Sequence, residues 1–501
     1  MNNKLLLCGL GALSAMAVSA QDKRPNIIYI MCDDMGYADL GCYGQQYIST
    51  PNIDRMAAEG MRFTQAYCGC PVSAPSRASF MTGQHTGHTK IRGNKEHKSG
   101  EIMYGDNKEF AVTGQEPYDT AHIIIPEIMK DNGYNTGMFG KWAGGYEGSE
   151  STPDKRGVDE YYGYICQYEA HLYYPNFLNA YSRSAGDKVV RREVMEENIK
   201  YPMYGPGYEK RSQYSADLIH QKAMEWLDKQ TADQPFIGIF TYTPPHAELI
   251  QPEDSIFYAY KGKFCREKKF NGSKQSRYNP TEYGHALFAS LITRLDTQVG
   301  QILDKLKEKG LDKNTLVIFT SDNGPHSEAG ADPNFFNRDN LLRGIKRSTT
   351  EGGIRIPFVA WGPGIVPAGV VSDHQFAFYD LMATFCDFAG IKNYQERYRN
   401  PRLENDYFDG ISIYPTLTGK GKQEQHHHLY WEIAEGNMIG VRMGNWKLVV
   451  KKGQCTLYDL ATDLHEDHDL SAKYPEILQQ MKDIVKKEHV DSNIFHVTVP
   501  E

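Results

Sequence analysis

Short apolar runs alternate with helical periodicities over most of this chain. Asn26-Ile27-Ile28-Tyr29-Ile30-Met31, Phe236-Ile237-Gly238-Ile239-Phe240 and Leu316-Val317-Ile318-Phe319 are apolar runs of strand length, and Pro357-Phe358-Val359-Ala360 is a fourth. Apolar residues in succession, not in alternation, predict strands buried on both faces. A further strand is expected near 135–139. Residues 282–309 predict a long helix, because Leu287, Leu291, Leu295, Val299, Ile302 and Leu306 recur at three- and four-residue steps and Gly310 supplies a stop. Strands separated by helices imply an α/β fold, a large, mixed, mainly parallel sheet sandwiched by helices. The charge- and Tyr-rich segments 187–214 and 253–280 read as long insertions on the loop side of that sheet.

Beyond Gly419-Lys420-Gly421 the pattern changes to short alternating runs at 438–450 and 456–460, followed by a helical pattern over 475–489. That predicts a smaller C-terminal antiparallel sheet with a covering helix, so residues 21–421 form the expected main α/β domain and 422–501 a C-terminal subdomain. The first 20 residues read as a cleaved export signal: Lys4 precedes an apolar run over 5–17, and Val18-Ser19-Ala20 offers small residues for cleavage before Gln21. The protein is therefore expected to be periplasmic or secreted. Cys8 does not fit a lipid anchor, because bulky Leu7 precedes it and apolar residues continue beyond. No later stretch is long and apolar enough to span a membrane.

The 501 residues are 40% hydrophobic and 24% charged, as in water-soluble globular proteins. A net charge of -8 argues against nucleic acid or an anionic membrane as main partner, but leaves room for an anionic substrate in a local basic pocket. The 9 cysteines are scattered, and Cys68 and Cys70 are too close to bridge each other, so most are expected as buried free thiols.

Polar residues follow the predicted strands directly, where ligands bind in an open parallel sheet. Asp33-Asp34 follow the first, Gly140-Lys141-Trp142 the strand near 135–139, Pro244-Pro245-His246 the Phe236 run, and Ser321-Asp322-Asn323-Gly324 the Leu316 run. Asp33, Asp34, Asp322 and Asn323 are an all-oxygen set with three formal negative charges, which suits a hard cation; Ca²⁺ tolerates irregular geometry better than Mg²⁺. Ser73-Ala74-Pro75-Ser76-Arg77, closing at Thr82-Gly83, predicts a helix with Ser73 as N-cap, Pro75 in the first turn and Gly83 near the C-cap. Ser73 would then stand where a helix N-terminus presents free N–H groups to an anion.

Taken jointly, Ser73 to Gly83, Asp33-Asp34-Met35-Gly36-Tyr37, Gly140-Lys141-Trp142, Ser321-Asp322-Asn323-Gly324, Lys346, Glu351-Gly352-Gly353-Ile354-Arg355-Ile356-Pro357, Trp446-Lys447-Leu448 and Leu457-Tyr458-Asp459-Leu460 resemble the type I sulfatases of the alkaline phosphatase superfamily. The resemblance covers nearly all of the chain after residue 20. It implies that Ser73 is oxidised to formylglycine (3-oxoalanine) by a radical maturase, and that its hydrate attacks sulfur and later expels sulfate through a covalent sulfated intermediate. It also implies a metal, Ca²⁺ before Mg²⁺, on Asp33, Asp34, Asp322, Asn323 and the modified Ser73. Arg77 would reach the diol, Lys141 and Lys346 would hold sulfate oxygens, and His246 would be the general acid. Many relatives carry a histidine after Gly-Lys-Trp, where this chain has Ala143; His88 is the stand-in available. His88, Arg92, Asn94 and His326 resemble the sugar contacts of relatives acting on sulfated galactose or N-acetylgalactosamine, sulfated at O4 or O6. The expected partner is a sulfated glycan. Two alternatives remain: a phosphate or phosphonate ester hydrolase with the same machinery, and a non-catalytic binder of sulfated glycans, supported only by Ala143.

Overall fold

The computed structural model describes residues 24–95, 114–337, 341–403 and 406–501; the expected export segment and Cys8 lie outside the described residues. Ten strands form one sheet in the order Val370–Ser372, Met61–Phe63, Phe358–Trp361, Thr315–Ser321, Asn26–Cys32, Phe236–Thr241, Asn135–Lys141, Glu160–Tyr164, Phe177–Ser182, Arg191–Val194. The five from Thr315–Ser321 through Glu160–Tyr164 run parallel.

Each central strand is apolar throughout because it feeds two cores. Ile27, Tyr29 and Met31 face one side with Ile237, Ile239, Leu316 and Ile318. Ile28 and Ile30 face the other with Phe240, Val317 and Phe319, against Leu291, Leu295, Val299 and Ile302 of the helix Gly284–Glu308. The long helix thus forms where the three- and four-residue spacing placed it, and it ends before Gly310, whose φ of 63° suits glycine. On the first side the short helix Ser73–Thr82 packs by stacking Phe80 on Tyr29, ring centroids 4.3 Å apart.

The strand expected around Phe358 is present but antiparallel to its neighbour Thr315–Ser321. The connection between them holds only single-turn helices among its described residues, Pro333–Phe336 and Glu351–Ile354. Without a crossover helix the chain stays at the carboxyl edge and re-enters from there. Residues 187–214 are not wholly an insertion either: Arg191–Val194 closes the far edge of the sheet, a polar edge strand whose charges masked it in the sequence.

The C-terminal part is a four-stranded antiparallel sheet, Leu429–Ile433, Met438–Met443, Trp446–Lys451 and Gln454–Asp459, covered by the helix Pro475–Glu488 through Met481, Ile484 and Val485. Lys452 and Gly453, at φ 50° and 80°, make the tight turn between its last two strands. The sheet is fastened to the main body by Trp431 Nε1 donating to the Cys68 carbonyl at 2.7 Å and by the buried pair Lys447–Glu351 at 2.8 Å. The eight cysteines among the described residues are free, five of them buried. None of the described helices is long and apolar enough to cross a membrane.

Candidate active site

Register assembles the centre. Cys32 pairs with Ser321, so Asp33-Asp34 and Asp322-Asn323 leave adjacent parallel strands at the same level. Met31 pairs with Thr241 and Gly140 with Thr241, which brings Lys141 to the same edge. The turn is tied by the Asp322 N–H to the Cys32 carbonyl at 3.0 Å and the Asp34 N–H to Asp322 Oδ1 at 3.1 Å.

Around these oxygens the structure gathers Ser73, Arg77, Lys141, His246 and Lys346, all buried. Ser73 Oγ donates to Asp33 Oδ1 at 2.8 Å and lies 3.4 Å from Asn323 Oδ1. Arg77 donates twice to Asp322 Oδ2, at 3.0 and 2.8 Å, and its Nη2 is 3.4 Å from Asp33. Lys141 Nζ pairs with Asp33 at 2.5 Å and Lys346 Nζ with Asp34 at 2.7 Å. Asn323 Nδ2 donates to Asp34 Oδ1 and to the Gly324 carbonyl, which leaves its Oδ1 turned toward Ser73.

Ser73 is not the N-cap. It is the first helical residue, Val72 occupies the cap, and the Ala74 N–H is accepted at 3.1 Å by Asn94 Oδ1 from a distant loop. Capping from outside leaves the Ser73 side chain free to face Asp33 instead of its own backbone.

Three carboxylates face three cations, so the centre is neutral by formal count. Burial would raise the Asp33 carboxyl, but Lys141 foremost, with Arg77 and Lys346, holds it well below the usual range. Asp322 is pushed the other way, first by burial and then by the Asp33 charge. The donor set of three carboxylates and a carbonyl oxygen fits a hard divalent cation, and Asp33 and Asp34 offer oxygens within 4.8 Å of each other and of a His246 nitrogen.

His246 is held as a neutral ring. Its Nδ1 faces the Ala247 carbonyl, which can only accept, and its Nε2 is 3.0 Å from the Lys346 ammonium, which can only donate. Burial and Lys346 together depress its basicity far below the ordinary histidine value. His171 stacks on His246 at 4.4 Å and hydrogen-bonds Tyr278 Oη through Nδ1 at 3.2 Å, while Glu328 pairs with Arg347 at 2.9 Å and lies 3.8 Å from Lys346. Sequence patterns gave no sign of His171, Tyr278 or Glu328, which sit in irregular segments without a motif.

The four residues expected at the sugar divide. His326 lies beside His246, rings 5.6 Å apart, but both its nitrogens serve backbone: Nε2 faces the Pro245 carbonyl at 3.2 Å and Nδ1 accepts the Glu328 N–H at 3.1 Å. Asn94 caps the Ser73 helix. Arg92 is committed to Glu432 at 3.1 Å and to the carbonyls of Thr89 and Val490. His88 binds Asp409 at 2.9 Å and stacks on Tyr407, at the far end of the Ser73–Thr82 helix, whose ten residues span about 15 Å. His88, His85 and Asp409 form a second cluster of potential ligands, apart from the first.

A buried oxygen cluster ringed by cations, at the carboxyl edge of a doubly covered sheet, is built to handle an anionic group. Residues 25–391 match the sulfatase family model, and the chain belongs to the sulfatase family, the sulfuric ester hydrolases. It is 30% identical over 456 residues to N-acetylgalactosamine-6-sulfatase of Mus musculus, covering 88% of this chain and 75% of that protein. It is 26% identical to N-acetylgalactosamine-6-O-sulfatase of Bacteroides thetaiotaomicron, covering 93% of each. Among solved structures, Ps i-CgsB in complex with k-i-k-neocarrahexaose is 27% identical, covers 95% of each chain and superposes with a TM-score of 0.69.

Proposed function

We propose that this sulfatase removes sulfate esters from glycans, with 6-O-sulfated N-acetylgalactosamine or galactose as the substrate class, after Ser73 is matured to formylglycine. The observation that carries the mechanism is the placement of Ser73 Oγ between Asp33 Oδ1 and Asn323 Oδ1. The substrate class is supported by the N-acetylgalactosamine-6-sulfatases of Mus musculus and Bacteroides thetaiotaomicron among the relatives and by the oligosaccharide-bound neighbour.

Asp33, Asp34, Asp322 and Asn323 would hold the divalent cation, Ca²⁺ before Mg²⁺. When bound it would polarise the sulfate and favour the ionised form of the hydrated residue 73. Two positive charges added to a neutral cluster give a cationic cradle for sulfate. Arg77, anchored on Asp322, steers the residue 73 hydroxyls. Lys141 and Lys346 take sulfate oxygens as charge moves to the leaving alcohol. The proton shared between Lys346 Nζ and His246 Nε2 is the one handed to that alcohol. The Ala247 carbonyl fixes the ring so that only Nε2 is available. The apolar segment over 5–17 supports export to the periplasm or beyond.

Sulfate release from N-acetylgalactosamine 6-sulfate, with and without a chelator and with Ca²⁺ added back, tests this. Release that a chelator abolishes and Ca²⁺ restores is expected; faster hydrolysis of an aryl phosphate than of the matching aryl sulfate would favour the phosphoesterase alternative.

A further inference from the structure

Away from the catalytic centre lies a half-open groove of about 1250 Å³, bounded by residues 46–49, 259–266 and 334–335. It is a separate place. From His246 the buried rings of His326, Phe288 and Phe336 follow one another at 5.6, 6.1 and 5.2 Å, and Phe335 in the groove wall comes only after them, at a further 5.0 Å.

Two kinds of surface meet there. Tyr47, Phe264 and Phe335 are half-buried rings, Phe264 edge-on to Phe335 at 5.4 Å and Tyr47 tilted against Phe335 at 5.8 Å. The second surface is cationic. Within 260–270 there are five basic residues, Lys261, Lys263, Arg266, Lys268 and Lys269, against the single acid Glu267, in a chain of net charge -8. Glu267 does not neutralise them: its Oε2 turns inward to accept the N–H groups of His285 and Ala286 at the start of the long helix. Lys269 pairs with Glu282 and Lys261 leans on Glu253, but Lys263 and Arg266 are exposed with no acidic partner among the described residues. The Arg266 guanidinium sits over the Phe335 ring, 5.9 Å from its centre.

Phe335 is stacked on His285 at 3.9 Å and forms the backing of the groove. The half-buried Tyr47 and Phe264 rings are therefore the ones that can pack on the C–H faces of pyranoses, while Lys263 and Arg266 can take sulfate groups. An apolar ligand would leave the cations unused, and a small free anion would leave the rings unused. Resting on the sulfated-glycan substrate proposed above, we infer that this groove is a second binding site, which holds a sulfated segment of a polymeric substrate remote from the ester being cleaved. The enzyme therefore grips polymers more tightly than sulfated monosaccharides.

Isothermal titration of chondroitin 6-sulfate, with chemically desulfated chondroitin as the control, compares the full-length protein with the Lys263→Glu/Arg266→Glu and Phe264→Ala variants. The charge-reversed variant should bind the sulfated polymer about tenfold more weakly or worse. Phe264→Ala should also weaken binding, and the desulfated polymer should not bind. Turnover of 4-nitrophenyl sulfate by the charge-reversed variant should stay at the parental rate, because neither residue touches the catalytic centre. Equal affinity of the charge-reversed variant and the parent, or equal binding of the desulfated polymer, overturns the inference. The titration needs no turnover. Failure to cleave N-acetylgalactosamine 6-sulfate would therefore strike the substrate assignment alone, and loss of groove binding this site alone.

Discussion

His246, the histidine proposed above to pass a proton to the leaving alcohol, is buried beside a cation that keeps its ring neutral. Burial and the Lys346 ammonium, 3.0 Å from its Nε2, disfavour a charge on the His246 ring and outweigh the nearby carboxylates, so Nε2 shares the Lys346 proton and does not own one. Replacing it removes the path to the leaving alcohol but not the sulfate cradle. His246→Ala should lower kcat by about 10²–10⁴ with KM changed little; a parental kcat would remove His246 from the proton transfer. Glu248, two residues on, behaves differently. Burial raises its carboxyl from 4.5 to about 7, even though it accepts hydrogen bonds from the Asn279 backbone and side chain. The folded protein therefore favours the neutral acid, and this group's stabilising share is lost as pH rises from 4.5 through 7. Glu248→Gln keeps the acceptor and drops the charge, so its Tm relative to the parent should climb between pH 5 and pH 8; a flat difference contradicts this. At this scale the sequence was legible where chemistry follows a strand end. Asp33, Asp34, Lys141, His246, Asp322 and Asn323 could be placed together because a parallel sheet aligns its carboxyl ends. His171 could not, since only the path of the 165–176 loop stacks it on His246. Nor could the commitments of Arg92 and Asn94, which depend on partners in sequence-distant segments.

Elements position these side chains through register and close approach. Gly140 precedes Lys141 with φ 121°, and a Cβ there would sit 2.1 Å from the Thr241 carbonyl oxygen of the neighbouring strand. The residue must be glycine for the two strands to pair as far as Lys141. Gly140→Ala should cost about 1–3 kcal/mol in backbone strain alone, with the clash in addition, and should lower Tm and activity together. An unchanged denaturation midpoint would show that this edge relaxes freely. The apolar strands and the long helix were readable from periodicity, since burial on two faces or along one stripe leaves a direct trace in the residue pattern. The reversed direction of Phe358–Trp361 was not, because a four-residue strand reads the same both ways and only the lack of a crossover helix decides. Arg191–Val194 was hidden by its charges, which an edge strand tolerates and a central strand does not. Ser73 was placed on the right helix and one position off, because Asn94 does the capping that the local sequence assigned to Ser73 itself.

Over the whole molecule, two cores and a docked small sheet make a rigid frame around a centre whose formal charges cancel. A chain of net charge -8 can still attract a sulfated substrate, because the carboxylates at the centre are matched by Arg77, Lys141 and Lys346 and the segment 260–270 carries five basic residues against one acid. The frame supplies placement; in the mechanism proposed above the chemistry depends on what residue 73 becomes, since a plain serine hydroxyl has no second hydroxyl with which to expel sulfate. Mass spectrometry of the tryptic peptide spanning residues 63–77, paired with sulfatase activity on the same preparations, measures that dependence. Activity should rise in proportion to the fraction of peptide lighter by two hydrogens at residue 73. Full activity in a preparation whose residue 73 is entirely serine would contradict the account.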